Sequence, residues 1–333
     1  MVLTIEHLGL YFGQAEIDNA NSQRDKQDNL QSAWQWLLAS EGEIIKERKP
    51  LQKDADPIQV IKPALTAEQA LIEQAFRYWF ADDIPAGESA AQFLQHDFKL
   101  ADQATLLETI THTLLGAHAF EMLRDLMPNA TNWLNVFADF TGSLLQAYDE
   151  ASYQEKLWLI ALSIVSGVVL EDAGRFENGT ALFRHVIDKD VHPEGYFKPL
   201  VAAATNKETA FGDMVMACAA LPLAAEAATQ AGENLWQYEN RDVGINTAVT
   251  YLVYYYFYPD KWRWGEDDLT EEQTQAIFAD LGAWIEISTR RVNPRGVELL
   301  LDDQRPFFNA YMGGLTTLSH FETKKPKLFG LFG

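Results

Sequence analysis

Residues 152–172 read SYQEKLWLIALSIVSGVVLED, and this stretch decides the fold class. Ser152 followed three residues later by Glu155 is a capping box, in which each side chain takes up a free backbone N–H at a helix start. Good helix formers follow, with apolar residues at three- and four-residue spacing, so the stretch predicts a helix over 152–171. Its apolar run LWLIALSIVSGVVL falls short of the roughly 18–20 residues that span a bilayer. A buried helix in a layered core is therefore expected, and no membrane span.

The same signature recurs along the chain. Thr66–Gln69, Thr205–Glu208 and Thr270–Gln273 repeat the capping box ahead of apolar-periodic blocks. Periodicity predicts helices over 14–39, 66–81, 101–127, 131–149, 152–171, 174–189, 206–231, 241–257 and 270–291. Pro222 is expected to kink or split the block over 206–231, because proline lacks the N–H and crowds the preceding turn. TYLVYYYFY at 250–258 is β-prone by composition and is the block where helix is least favoured. No alternating strand stands out. The charged segment 41–63, EGEIIKERKPLQKDADPIQVIKP, reads as a loop. The resulting order is a helical N-terminal arm over 1–40, a charged, proline-containing linker loop over 41–65, a main helical domain over 66–322 and a flexible tail over 323–333. Helices joined by short connections pack as antiparallel hairpins. The expected fold is all-α, an (α/α) toroid or incomplete toroid, with a superhelical solenoid as the alternative.

Composition narrows the function. The chain has 333 residues, 47% hydrophobic and 12% aromatic, which supplies a sizeable core. Its formal charge of −22 opposes nucleic acid, whose binding needs basic residues on phosphate. It opposes anionic membranes as well, and is read either as a solubilising surface or as a match to a basic protein partner. The lone Cys218 allows no intrachain disulfide and sits in an apolar run, as a core residue does. The N-terminus carries no basic region and cleavage site, so a cytoplasmic location is expected as given, periplasmic or secreted if a signal was removed. No metal-spaced histidine pair, C-x-x-C, phosphate-binding glycine loop or G-x-S-x-G is present, so no cofactor and no metal are expected. His112 and His118 lie six apart, off the spacing of a helical metal pair, and read as core or groove residues.

Three further stretches carry a resemblance. The first is DVHPEGYFKPL (190–200), followed by the Ala-rich helix and AGENLW (231–236). The others are RPFFNAYMGGLTTL (305–318) and, more weakly, RYWFADD (77–83). Together with Trp158 at the start of the 152–171 helix, they resemble the alginate lyase family of (α/α) toroid polysaccharide lyases over about residues 66–320. The resemblance implies β-elimination on a uronate-containing polysaccharide: a cation or hydrogen-bond donor offsets the sugar carboxylate, a base takes the C5 proton and an acid protonates the leaving oxygen. An Asn-His pair, a Tyr and an Arg serve these roles in the family. Here the Asn-His positions fall on Gln154 and Glu155, the Tyr on Phe211 or Ala210, and the Arg near Ala204 or Thr205. A Glu of the family's Leu-Glu-Leu strip falls on Leu200 or Val201.

Replacement candidates follow. His192, Tyr196, Lys198 and Gln154 are the catalytic candidates, set against the plainer reading of a solvated loop before a helix. Trp158, Tyr255, Trp262, Trp264 and Arg305 are the substrate-binding candidates, set against a packed aromatic seam. Two functions remain open at this point. One is a lyase with a rebuilt site acting on polysaccharide. The other is a non-catalytic carbohydrate-binding or protein-interaction module, such as an acidic neutraliser of the immunity type.

Overall fold

The computed structural model describes residues 5, 7, 9–47, 58–100, 103–292 and 294–322. The helix expected over 14–39 is two, α1 (Gln14–Gln23) and α2 (Asp28–Leu38). The polar run between them turns, and Gln27 adopts an extended backbone (φ −127°, ψ 116°) that starts α2 afresh.

The linker expected over 41–65 contains a hairpin. Strands β1 (Ile44–Glu47) and β2 (Ile58–Ile61) pair antiparallel, with Ile44 opposite Ile61 and Ile45 opposite Val60. Residues 48–57 of that linker lie outside the described residues, as does the tail expected over 323–333. After β2 the Lys62 ammonium is buried. It donates to Glu73 (2.6 Å) and to the carbonyls of Trp36 (2.8 Å) and Ala39 (2.9 Å). A buried ammonium needs such full pairing, and the contacts tie the hairpin to α2 and to α3 (Ala67–Ala81).

Helix α3 starts at the Thr66–Gln69 box as expected. Helix α4 (Ile84–His96) escaped the pattern because Asp82, Asp83 and Pro85 read as a turn. Asp82 is left-handed, Asp83 accepts the Ala86 N–H (3.2 Å), and Pro85 sits in the first helical turn, where a missing N–H is harmless. Then follow α5 (Leu106–Leu123), α6 (Ala130–Leu145), α7 (Tyr153–Val169) and α8 (Ala173–His185), the last prolonged by a π-helical turn at Val186–Asp190. A single turn, α9 (Lys198–Val201), precedes the long α10 (Lys207–Gln230). The Thr205–Glu208 box does not form there. Asn206 caps the helix instead, its side-chain oxygen accepting the Thr209 N–H (3.1 Å).

α10 runs unbroken through the buried Pro222. Packing on all sides outweighs the roughly 3 kcal/mol that proline costs a helix interior. α10 is also long and apolar enough to cross a membrane, contrary to the expectation from run lengths, and 83% of its apolar window is buried inside the protein. The aromatic block at 250–258 lies largely in a helix, α11 (Ile245–Phe257), burying Tyr251, Leu252, Tyr255 and Tyr256 and exposing Tyr254 and Phe257. The block over 270–291 breaks at Gly282 into α12 (Glu271–Leu281) and α13 (Trp284–Arg291). Two short helices, α14 (Val297–Gln304) and α15 (Thr316–His320), are the last among the described residues, within a segment whose Pro and Gly hide them.

Helices α5, α7 and α10 are buried on nearly every face and form the inner wall. Glycines set the closest contact between layers. A Cβ on Gly167 would fall 2.6 Å from the Phe176 nitrogen, and one on Gly179 2.7 Å from Ile164, so α7 and α8 meet backbone to backbone. The ring closes through residues expected to form an arm. Phe12 packs against Phe76, Phe80 and His118, and His320 Nε2 donates to the Tyr11 carbonyl (2.9 Å). Asn19 donates to the Phe321 carbonyl (2.9 Å). The architecture is an (α/α) toroid with the N-terminal segment in its wall.

Candidate functional site

The turn at 191–197 is pinned at its ends. Val191 and Phe197 form an isolated bridge, His192 N–H donates to the Tyr196 carbonyl (2.8 Å), and Gly195 N–H donates to the His192 carbonyl (2.8 Å). Gly195 needs to be glycine: its φ is +111°, and a Cβ would sit 2.5 Å from the Thr247 carbonyl oxygen. The turn therefore lies flat on α11 and presents its side chains together. The His192 ring stacks on Tyr196 at 4.4 Å, and Tyr196 packs against Trp264 at 4.9 Å. Trp264 Nε1 donates to the Tyr251 hydroxyl (2.7 Å), whose pKa burial holds above the usual phenol value. The Arg263 guanidinium lies over Trp264 (4.7 Å) and Tyr196 (5.5 Å) and pairs with Glu194. His192 Nδ1 accepts the Glu194 backbone N–H (3.2 Å), so the neutral ring carries its proton on Nε2.

The loop 258–268 joins this patch to the start of α10. Glu266 N–H donates to the Thr205 carbonyl (2.8 Å), and Lys207 N–H donates back to the Glu266 carbonyl (3.1 Å). Behind that join is a small cavity of about 80 Å³, lined among others by Leu200, Val201, Ala204, Thr205, Ala210 and Asp213. These include the positions where the resemblance places the family's Glu, Arg and Tyr. Of the two positions named for the Tyr, Ala210 lines the cavity, whereas Phe211 is turned into the core, edge-on to Trp262 at 5.1 Å. Gln154 donates to the Asp213 carbonyl (3.3 Å). Glu155 accepts the Ser152 N–H (2.7 Å) and caps α7. Burial raises the Asp213 carboxyl above its ordinary pKa, against the opposing hydrogen bond of Gln154. The cavity wall thus offers one acid and small side chains, and no guanidinium.

The remaining sequence candidates disperse. Lys198 donates to the Lys189 carbonyl (2.6 Å) at the end of the π-helical turn. Trp158 and Trp262 are fully buried, so their faces are closed to a sugar; Trp158 Nε1 bonds the Met216 carbonyl (3.2 Å) and locks α7 to α10. Tyr255 is buried between Tyr251 and Trp262. Arg305 is buried, its Nε at 2.9 and 3.1 Å from the two Glu286 oxygens, and serves as a structural clamp. Burial likewise makes His112 and His118 core residues: His112 stacks on Phe98 at 4.3 Å, and His118 meets Tyr11 at 4.6 Å, its pKa pushed down to about 3. Of the residues singled out in the sequence, His192, Tyr196 and Trp264 come together. Arg263 was missed, although its place between two tryptophans in KWRWG was a signal.

Comparison with known proteins places this geometry. The profile of the family described as alginate lyase matches residues 46–262. Among solved structures, alginate lyase A1-III from Sphingomonas species A1 is 15% identical with a TM-score of 0.67, over 96% of this chain and 98% of that one. A tyrosine-to-phenylalanine variant of alginate lyase A1-III complexed with tetrasaccharide gives 16% identity and a TM-score of 0.72, over 97% and 98%. An alginate lyase from Bacteroides ovatus gives 12% and 0.57, over 94% and 99%. No curated protein matches in sequence. At these identities the structures share the fold.

Proposed function

We propose, from the premise that this chain belongs to the alginate lyase family, that it is a polysaccharide lyase which cleaves a uronate-containing chain by β-elimination at the ring end where α7 and α10 begin. The observation that carries the reading is the Arg263 guanidinium laid over Tyr196 and Trp264 beside His192. Elimination needs the carboxylate's charge offset before the adjacent C–H can lose its proton. The inherited cavity supplies no cation for this, and Arg263 does. Its present partner Glu194 is exposed and exchangeable, since surface ion pairs are held by about 1 kcal/mol or less.

In this reading Tyr196 and Trp264, whose faces His192 and Arg263 cover, border the sugar with their half-buried edges. Arg263 takes the carboxylate in place of Glu194, the Tyr196 oxygen takes the C5 proton and returns it to the leaving oxygen, and His192 Nε2–H donates to the sugar. Asp213 and Gln154 sit behind the join and shape the floor. The test is absorbance of the unsaturated product across a panel of polyuronates. A rise that Arg263→Ala slows by about 10²–10³, and that His192→Ala and Tyr196→Phe each slow as well, is expected. A flat trace over the whole panel with correctly folded protein overturns the assignment.

A further inference from the structure

The 191–197 turn and the 258–268 loop meet at Tyr196, Trp264 and the exposed Arg263–Glu194 pair. That pair opens when a sugar carboxylate takes the place of Glu194. What then keeps Arg263 in place is the pair of rings beneath it, Trp264 at 4.7 Å and Tyr196 at 5.5 Å. A charge that acts on a transition state has to be held in position beforehand, so the question becomes what fixes the rings.

Both are anchored on one residue of α11. Tyr251 is buried, and its hydroxyl accepts the Trp264 Nε1–H (2.7 Å). Its ring lies 5.9 Å from that of Tyr196. Gly195, next to Tyr196, is laid so close that a Cβ there would run into the Tyr251 Cβ. Behind it, Tyr255 (4.8 Å, edge-on) and Trp262 (5.9 Å) close the packing. A packed ring on a wall helix holds its geometry more closely than a loop side chain does. Other indoles in the ring have sturdier acceptors. Trp79 donates to the Met122 carbonyl (2.7 Å), Trp158 to the Met216 carbonyl (3.2 Å), and Trp236 to the Glu226 carboxylate (3.0 Å) that Arg291 also grips. The acceptor of Trp264 is a side-chain hydroxyl, which the loss of one oxygen removes.

We propose that Tyr251 is a positioning residue of the cleavage surface, whose hydroxyl fixes the Trp264 indole and, through it, the Arg263 guanidinium where the sugar carboxylate is neutralised. The role rests on the lyase reading of that surface. Tyr251→Phe tests it, since the ring stays against Tyr196 and Gly195. Product absorbance on a polyuronate that responds is followed for the wild type, Tyr251→Phe, Arg263→Ala and the double variant. Tyr251→Phe should lower kcat by about tenfold to hundredfold, the scale of a group displaced by an ångström, and lower it more than it raises KM. Added to Arg263→Ala, it should change the rate by less than about twofold, because the group it positions is gone. By proton NMR, the Trp264 indole N–H should exchange with solvent at least about tenfold faster in Tyr251→Phe. A flat trace over the whole panel, or Arg263→Ala at the wild-type rate, fails the lyase reading and takes the role with it. If Arg263→Ala slows cleavage, three results overturn the positioning role alone: Tyr251→Phe at the wild-type rate, losses that multiply in the double variant, or an unchanged indole exchange.

Discussion

At its Lys207 end, α10 meets a loop-built surface; at its Gln230 end it meets a lattice of ion pairs anchored on helices. The first end is floored by Ala204, Ala210 and a half-buried carboxyl, Asp213, with no ion pair among the described residues, while a positive charge sits on Arg263 in the 258–268 loop. The second end seats Arg290 and Arg291 on α13 and binds them to Glu16 and Glu226. One helix in one ring thus ends beside an exposed, exchangeable ion pair on one side and beside buried, fixed ones on the other. The backbone of the toroid tolerates both because its stability comes from the inner wall between them.

That dependence can be tested hardest by acid. His118 and His320 are both buried in the seam where the ring closes, and burial pushes each pKa down to about 3. A histidine held neutral in the fold contributes stability that is present above its unfolded pKa of about 6.5. That stability is lost as pH falls toward the folded value. Unfolding free energy should therefore drop by several kcal/mol between about pH 6.5 and pH 4. Denaturant titrations that stay flat over that range would show that the seam does not hold the two ends together.

Arg263→Ala comes next. It should lower turnover by about 10²–10³, the effect of removing one charge-stabilising group, with less than about 1 kcal/mol lost in stability because its pair is exposed. Equal losses of rate and stability would erase the contrast between an exchangeable and a fixed charge. Glu226→Ala, at the other end, should do the reverse. It strands Arg291 and the Trp236 indole, costs about 2–4 kcal/mol read as a Tm drop of several degrees, and leaves turnover unchanged. The smallest effect is at Asp213. A carboxyl with a raised folded pKa favours the fold at low pH, and that contribution is lost as pH rises through the raised value. Asp213→Asn should therefore add under about 1 kcal/mol at neutral pH and flatten the stability profile above the ordinary carboxylate range.

Much of the ring was legible because its helices announce themselves. The boxes at Thr66, Ser152 and Thr270 all form, and α7 and α10 lie where periodicity puts them. What was hidden depends on contacts far apart in sequence. α4 begins with residues that spell a turn, and Ile44 and Ile45 alternate over too few positions to mark a strand. Pro222 is tolerated only because its neighbours from other helices bury it. The site divides the same way. His192 and Tyr196 share a turn and could be found together, but Arg263 joins them from 67 residues past Tyr196 in a loop folded back on α10. Trp158, Trp262 and Arg305 have the chemistry of binding residues. Only burial shows that they are spent on Met216, Phe211 and Glu286.

The hydrogen bond from His320 to the Tyr11 carbonyl joins residues 309 apart. During synthesis, the segment around Tyr11 and Phe12 leaves the ribosome long before α15 exists to receive it. At about 5–20 residues per second that interval is tens of seconds. Inner-wall helices can pair as they emerge, but the Tyr11 carbonyl waits for His320, which is made 309 residues later. Closure is thus a late, long-range step of the slow kind. The nascent chain is exposed to aggregation at its beginning for want of its end.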